Sequence, residues 1–294
     1  MNFIDLIKHK FREGDALIRL IFINVTVFVI LQTITIILLL FNQQFLFPTD
    51  YLAAPANFLF LLQKPWTVIT YMFLHEGLFH ILFNMFALYW FGQLFLMYYS
   101  QKQLVALYII GGMMGYVFFA GAYNIFPYFY SAIDNSVLLG ASGSIMAIIL
   151  AVATKSPNME MRMLFVGNVK LKYIAAFVVL TSFFGITSNN AGGEIAHLGG
   201  ALTGYFFIVS LRQGRDITVG INKSLDFVYD LFKPRKLKIK KTANYAGRKM
   251  SDAEFNQNKA NRMKEVDRIL DKIKASGYES LSAEEKKRLF ENKS

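Results

Sequence analysis

Three stretches of this chain, residues 20–41, 67–97 and 104–122, are each long and apolar enough to cross a bilayer. They limit the possible folds more than any other feature. A spanning helix needs about 20 mostly apolar residues. In lipid, every backbone N–H and C=O must be paired within the protein. Three shorter runs, 137–153, 173–186 and 195–211, suit helices packed inside a bundle better than lone spans. The expected fold class is an all-α polytopic membrane protein with six transmembrane helices. Composition agrees, since 54% of the residues are hydrophobic and 29 are Phe, which is too apolar for an ordinary soluble domain.

Charge gives the orientation. Lys8, Lys10, Arg12 and Arg19 precede the first run, Lys102 lies between the second and third, and Lys155, Arg162, Lys170 and Lys172 lie between the fourth and fifth. The alternate loops contain one basic residue, Lys64. By the positive-inside rule both termini are expected in the cytoplasm. The N-terminus lacks the arrangement of a cleavable signal, because its first long apolar run is a full span. The net charge of +11 is concentrated late: residues 212–294 carry 21 Lys+Arg against 12 Asp+Glu, an excess of 9. Beside a membrane domain this reads as a cytoplasmic tail facing anionic lipid, not as a nucleic-acid surface.

The expected organisation is a cytoplasmic N-terminus (1–19), a six-helix domain (20–211), a basic juxtamembrane linker (212–250) and a small helical tail (251–294). The linker has a short apolar stripe of Leu225, Val228, Leu231 and Phe232, then the basic run KPRKLKIKK at 233–241. In the tail, Met263, Val266, Ile269, Leu270 and Ile273 are read as one helix face, Gly277 as a helix stop, and Ser282 with Glu285 as a capping box.

Three polar side chains fall at one depth. At about 1.5 Å per helical residue, Ser142, Asn84 and His197 each lie roughly 16–21 Å above the inner ends of their runs. Polar groups at membrane depth are costly and usually face a protein interior or a water-filled cavity. A serine beside a histidine is a nucleophile–base pair, since a hydroxyl is a weak nucleophile until a base takes its proton. His80 and Asn84 share a helix face at i and i+4, and an Asn amide can stabilise an oxyanion without adding charge. Gly143, Ala147 and Ala151 on one run, and Gly200 and Gly204 on another, form small-residue stripes that let backbones approach closely. Gly199 lies about 100° off its stripe, so Gly199→Ala is expected to do much less harm than Gly200→Val. The chain has no Cys, which excludes disulfides and thiolate chemistry. His75, His80 and His197, to which Glu76 and Glu194 could add, lack the spacing of a zinc site, so neither a metal nor a cofactor is expected.

Taken together, His80-x-x-x-Asn84 with His75 upstream, GASG at 140–143 and AHLGGALTG at 196–204 closely resemble the rhomboid family of intramembrane serine proteases, over roughly residues 60–211. The resemblance implies a six-helix bundle with a water-filled cavity open to the outside. It implies Ser142 as nucleophile and His197 as general base, a dyad without an acidic third member. His80, Asn84 and the Ser142 N–H would form the oxyanion hole, with Gly140 letting backbone approach the reacting carbonyl. Transmembrane proteins would be the substrates, and a bacterial inner (cell) membrane is the expected location. The alternative is a rhomboid-like pseudoprotease that binds membrane helices without cutting them. The sequence departs from the family in two places: Trp66-Thr67 stands where a Trp-Arg pair is usual, with Lys64 as a possible substitute, and Met146 stands where an aromatic residue is often found.

Overall fold

The computed structural model describes residues 14–43, 49–163, 167–232 and 251–291, and the chain divides into two units, Met1–Lys233 and Pro234–Ser294. In the first, four helices among the described residues are long and apolar enough to cross a membrane: α1 (Ala16–Leu40), α5 (Leu78–Leu96), α6 (Gln101–Ile125) and α9 (Ala191–Arg212). Two shorter apolar helices, α7 (Ser142–Lys155) and α8 (Leu171–Phe184), complete the bundle. Short helices α2 (Thr49–Leu52), α3 (Phe58–Gln63) and α4 (Thr67–Thr70) precede α5, and α10 (Val219–Phe232) follows α9.

The helix starts follow from local chemistry. The Asp15 carboxylate accepts from the Ile18 N–H at 3.0 Å and caps α1, which satisfies one of the N–H groups a helix start leaves unpaired. Ser100 and Gln103 form a reciprocal capping box on α6. The run at 67–97 is not one helix. It breaks into α4, a 3-10 turn at Tyr71–Phe73 and a non-helical stretch before α5 begins at Leu78. Gly77, with extended backbone (φ −165°), is the N-cap, so His75 lies outside the helix that carries His80 and Asn84.

On α5 the inward face is Ile81, Asn84, Met85 and Leu88, whereas Leu78, Phe79, Leu82 and Phe83 are exposed. Large apolar groups on the outside are what lipid favours. The centre of the bundle is α7, packed against α5, α6, α8 and α9. Gly143 through Ile149 and Ala151 through Ala153 are all buried. Surrounded in this way, a helix of about 21 Å need not match the bilayer thickness. Polar side chains tie the outer helices together: Asn24 donates to the Leu20 carbonyl at 2.9 Å and to Tyr108 Oη at 3.3 Å, and Tyr108 donates to the Met72 carbonyl at 2.9 Å. Such bonds stand in for the hydrophobic drive that lipid does not supply.

The run at 137–153 also begins differently from a span. Val137–Leu138 is a strand, β2, paired antiparallel with β1 (Ala54–Pro55). Between α7 and α8, β3 (Glu160–Met163) and β4 (Gly167–Lys170) form a hairpin. Beyond α9, Lys102 meets Asp226 of α10 at 2.8 Å, and Leu225, Val228 and Leu231 are exposed. The basic run at 233–241 lies outside the described residues.

The second unit holds α11 (Asp252–Ser276) and α12 (Ala283–Glu291). Ser251 and Glu254 cap α11 reciprocally, and α11 ends at Gly277 with φ +77°. Before α12, Ser282 Oγ accepts from the Glu285 N–H at 3.3 Å while Glu285 accepts from the Ser282 N–H at 2.7 Å. The apolar face is narrower than expected. Ile269 is buried and Val266 and Ile273 half-buried, but Met263 and Leu270 are exposed, because α12 adds only a short covering surface.

Candidate active site

The loop entering α7 is fastened at several points. Gly140 N–H donates to the Tyr71 carbonyl at 2.9 Å, and Tyr71 Oη donates to the Gly112 carbonyl at 2.6 Å. Strand β2 and the Ala56 N–H to Ser136 carbonyl bond (2.9 Å) tie the same loop to the segment before α3. Gly140 has φ +126°, and a Cβ there would stand 3.3 Å from His80 Cε1 and Nε2. Glycine is needed both for the backbone conformation and for the closeness of the imidazole.

Ser142 is the first residue of α7 and faces a cavity of about 420 Å³, which is also lined by His197, His80, Asn84, Glu76 and Phe83. The cavity is of ligand-binding size. The first N–H groups of a helix have no intrahelical acceptor and form its positive end, so the floor beside Ser142 is suited to developing negative charge. Asn84 Nδ2 donates one hydrogen to the His80 carbonyl at 3.0 Å and has a second to offer. His75 is not a cavity residue. It is buried edge-on to the His80 ring, with ring centroids 5.2 Å apart.

Glycines bring α7 and α9 together. A Cβ at Gly143 would lie 3.4 Å from the Ala196 carbonyl oxygen, and a Cβ on Gly200 or Gly204 would overlap the carbonyl oxygen of Gly143 or Ala147 respectively. The residue next to Ala196 is His197, so this close crossing carries the histidine to the start of α7. Gly199 is also crowded, though less than Gly200. A Cβ there would meet the Met114 carbonyl oxygen at 2.7 Å and Phe118 at 2.9 Å, because that face of α9 is packed on α6.

From sequence, Glu194 was weighed only as a metal ligand, and its pairing with His197 and Ser182 was missed. His197 Nδ1 lies 3.2 Å from Glu194 Oε2 and 3.0 Å from Ser182 Oγ. The reading that no Asp or Glu lies inside the spans is corrected here. It assumed that the sixth run starts at 195, whereas α9 starts at Ala191 and carries Glu194 one turn before His197. The i, i+3 spacing was visible and could have flagged the pair.

The two departures from the family pattern are accommodated. Lys64 donates to the Asp50 carbonyl at 2.8 Å, Trp66 Nε1 to the Tyr51 carbonyl at 2.9 Å and Thr67 Oγ1 to the Lys64 carbonyl at 2.7 Å. Met146 is buried within α7. Among the described residues, no three His, Asp or Glu side chains converge as a metal-binding group.

Fold and site together define a polytopic helical membrane protein with a serine and a histidine on one polar cavity. The rhomboid domain model matches residues 62–214, just over half the chain. The chain belongs to the rhomboid family, whose members act on membrane-protein substrates within the bilayer. It is 28% identical over 218 residues to "RHOMBOID-like protein 12, mitochondrial" of Arabidopsis thaliana, covering 69% of this chain and 60% of that protein. It is 29% identical over 143 residues to "Presenilin-associated rhomboid-like protein A, mitochondrial" of Danio rerio. It is 30% identical over 144 residues to "Presenilin-associated rhomboid-like protein, mitochondrial" of Homo sapiens. Each of the last two matches covers 46% of this chain and 35% of the relative. The mitochondrial names overturn the expectation of a bacterial inner membrane. Residues 250–292 match a family of unknown function (DUF6576).

Proposed function

We propose that this protein is an intramembrane serine endopeptidase that cleaves transmembrane segments of membrane proteins. One observation carries the reading: Ser142, His197, His80 and Asn84, from three helices, line a single cavity. In this mechanism Ser142 Oγ attacks the scissile carbonyl carbon while His197 Nε2 takes the hydroxyl proton. Negative charge on the carbonyl oxygen is met by the Ser142 N–H, the second Asn84 N–H and the His80 ring. The protonated His197 then gives its proton to the leaving amine, and a water, activated by the same histidine, hydrolyses the acyl-enzyme. Loss of one oxyanion donor typically costs roughly 10²–10³ in rate, so Asn84→Ala is expected to retain weak activity.

The arrangement in the bilayer proposed here has α7 and α8 as the fourth and fifth of six spans, with both termini on one side of the membrane and the cavity open to the other. The basic segment at 233–241 would contact anionic headgroups. The names of the relatives support a mitochondrial membrane as its location. The test is reconstitution of the purified full-length protein with a panel of single-span substrates. Wild type should cut near the outer end of the substrate helix and Ser142→Ala should not. Equal cleavage by both would refute the reading.

A further inference from the structure

We propose that Glu194 is a positioning residue for His197, fixing its tautomer and orientation so that the serine–histidine pair works with an acidic third member. The proposal rests on the protease reading above. An ionised carboxylate only accepts hydrogen bonds, and a neutral imidazole has one donor nitrogen and one acceptor nitrogen. With Glu194 Oε2 3.2 Å from Nδ1, a lone pair on Nδ1 would face a negative oxygen. The proton therefore belongs on Nδ1, shared with Ser182 Oγ at 3.0 Å. That leaves the Nε2 lone pair for the side of the ring away from Glu194, towards the cavity shared with Ser142. The opposite tautomer would present a donor to a hydroxyl that must lose its own proton.

The carboxylate is held in place from both sides. A Cβ at Gly185 would stand 2.8 Å from Glu194 Cγ and 3.0 Å from Cδ, so the stem of Glu194 occupies space that this glycine leaves open. Ser182, on α8 one turn earlier, is buried. The side chains of His197 and Glu194 are only 20% and 22% exposed, so water screens their attraction less than it would at the surface. As His197 gains a proton during attack, the fixed negative charge stabilises the imidazolium, as the acid of a serine–histidine–acid triad does.

A merely structural Glu194, serving the positive end of α9, predicts something else, so the test reads the tautomer. The full-length protein is labelled with ¹⁵N-histidine in liposomes at pH 8, where its four His give few signals and His197→Asn assigns the one of interest. Wild type should show His197 protonated at Nδ1 and bare at Nε2. Glu194→Gln, whose amide can donate to Nδ1, should shift the proton to Nε2. It should lower kcat roughly 10- to 100-fold, part of the 10²–10⁴ that positioned proton transfer contributes, while KM and Tm stay near wild type. Glu194→Asp should recover part of the rate. The proposal is overturned if wild-type His197 is protonated at Nε2. It is also overturned if Glu194→Gln leaves tautomer and kcat unchanged, or if its rate loss follows a fall in Tm with the tautomer intact. Failure of the protease reading looks different: wild type would cut no substrate and Ser142 would resist a fluorophosphonate, while the ¹⁵N signals would still decide the role of Glu194.

Discussion

Gly200 lies so close under the carbonyl oxygen of Gly143 that a β-carbon on it would overlap that oxygen. Even alanine must push α9 away from α7, and overpacking of this kind typically costs about 1–3 kcal/mol. Gly200→Ala should therefore lower Tm in detergent and also slow Ser142, because the displaced helix carries His197. Small misplacements of a nucleophile and its base can cost on the order of 100-fold in rate. Gly199→Ala should also lower Tm, since its β-carbon would meet the Met114 carbonyl at 2.7 Å. It presses on α6 and should slow the reaction less. Thermal unfolding together with fluorophosphonate labelling rates separates the two effects. A Gly200→Ala protein as stable and as reactive as wild type would mean that the crossing is looser than described.

Chemistry should not depend on the second unit, because every proposed catalytic residue lies before residue 212. The structure does set where a truncation is safe. A chain ending at Lys223 would cut α10 in two and lose the Lys102–Asp226 ion pair at 2.8 Å, whereas one ending at Phe232 keeps the helix. The longer truncation should cleave a detergent-solubilised substrate with kcat within about twofold of full length, a change of well under 1 kcal/mol in barrier. A large loss of kcat in a folded sample would show that the tail takes part in the reaction.

The tail pair should loosen in acid. Glu285 accepts from the Ser282 N–H and from Lys272 Nζ, and these contacts hold its carboxyl at about 2, below the ordinary 4.5. A folded-state value below the unfolded one means that the contribution is present above pH 4.5 and is lost as pH falls towards 2. Because the chain has no Cys, spin labels can be placed by substitution at Lys264 and Glu284 alone. Their distance distribution should broaden across that window, and less so in Glu285→Gln. High salt should weaken the Lys272 part of the effect, since an exposed pair is screened. A distribution that does not change from pH 6 to 2 would contradict this.

How much of this was legible from sequence varied by residue. Ser142, His197, His80 and Asn84 were singled out because polar groups at membrane depth stand out against an apolar background and their spacing matched a family. The long helices were legible for the same reason, as hydrophobic runs. The run at 67–97 was read as one helix because hydropathy registers burial in lipid or protein alike, and could not show that Leu74 through Gly77 is not helical. Glu194 was weighed only as a metal ligand, because a charge just outside an apolar run read as starting at 195 falls in a loop. Its partner Ser182 sits on another helix, 15 residues away in sequence, and no local pattern joins them. The crowding at Gly199 was hidden for a related reason: helix periodicity gives the direction a residue faces but not what stands there.

The most direct test of the central claim is chemical modification of the cavity serine. The purified full-length protein is treated with a fluorophosphonate and the modified residue located by mass spectrometry, alongside Ser142→Ala and His197→Ala. A hydroxyl activated by a base reacts with such reagents, whereas a serine that only packs between helices does not. The account predicts a single adduct on Ser142, none in Ser142→Ala, and strongly reduced labelling in His197→Ala with the fold intact. Labelling at another serine, or no labelling of Ser142 in folded protein that binds membrane helices, would contradict it and leave a cavity that holds substrates without cutting them.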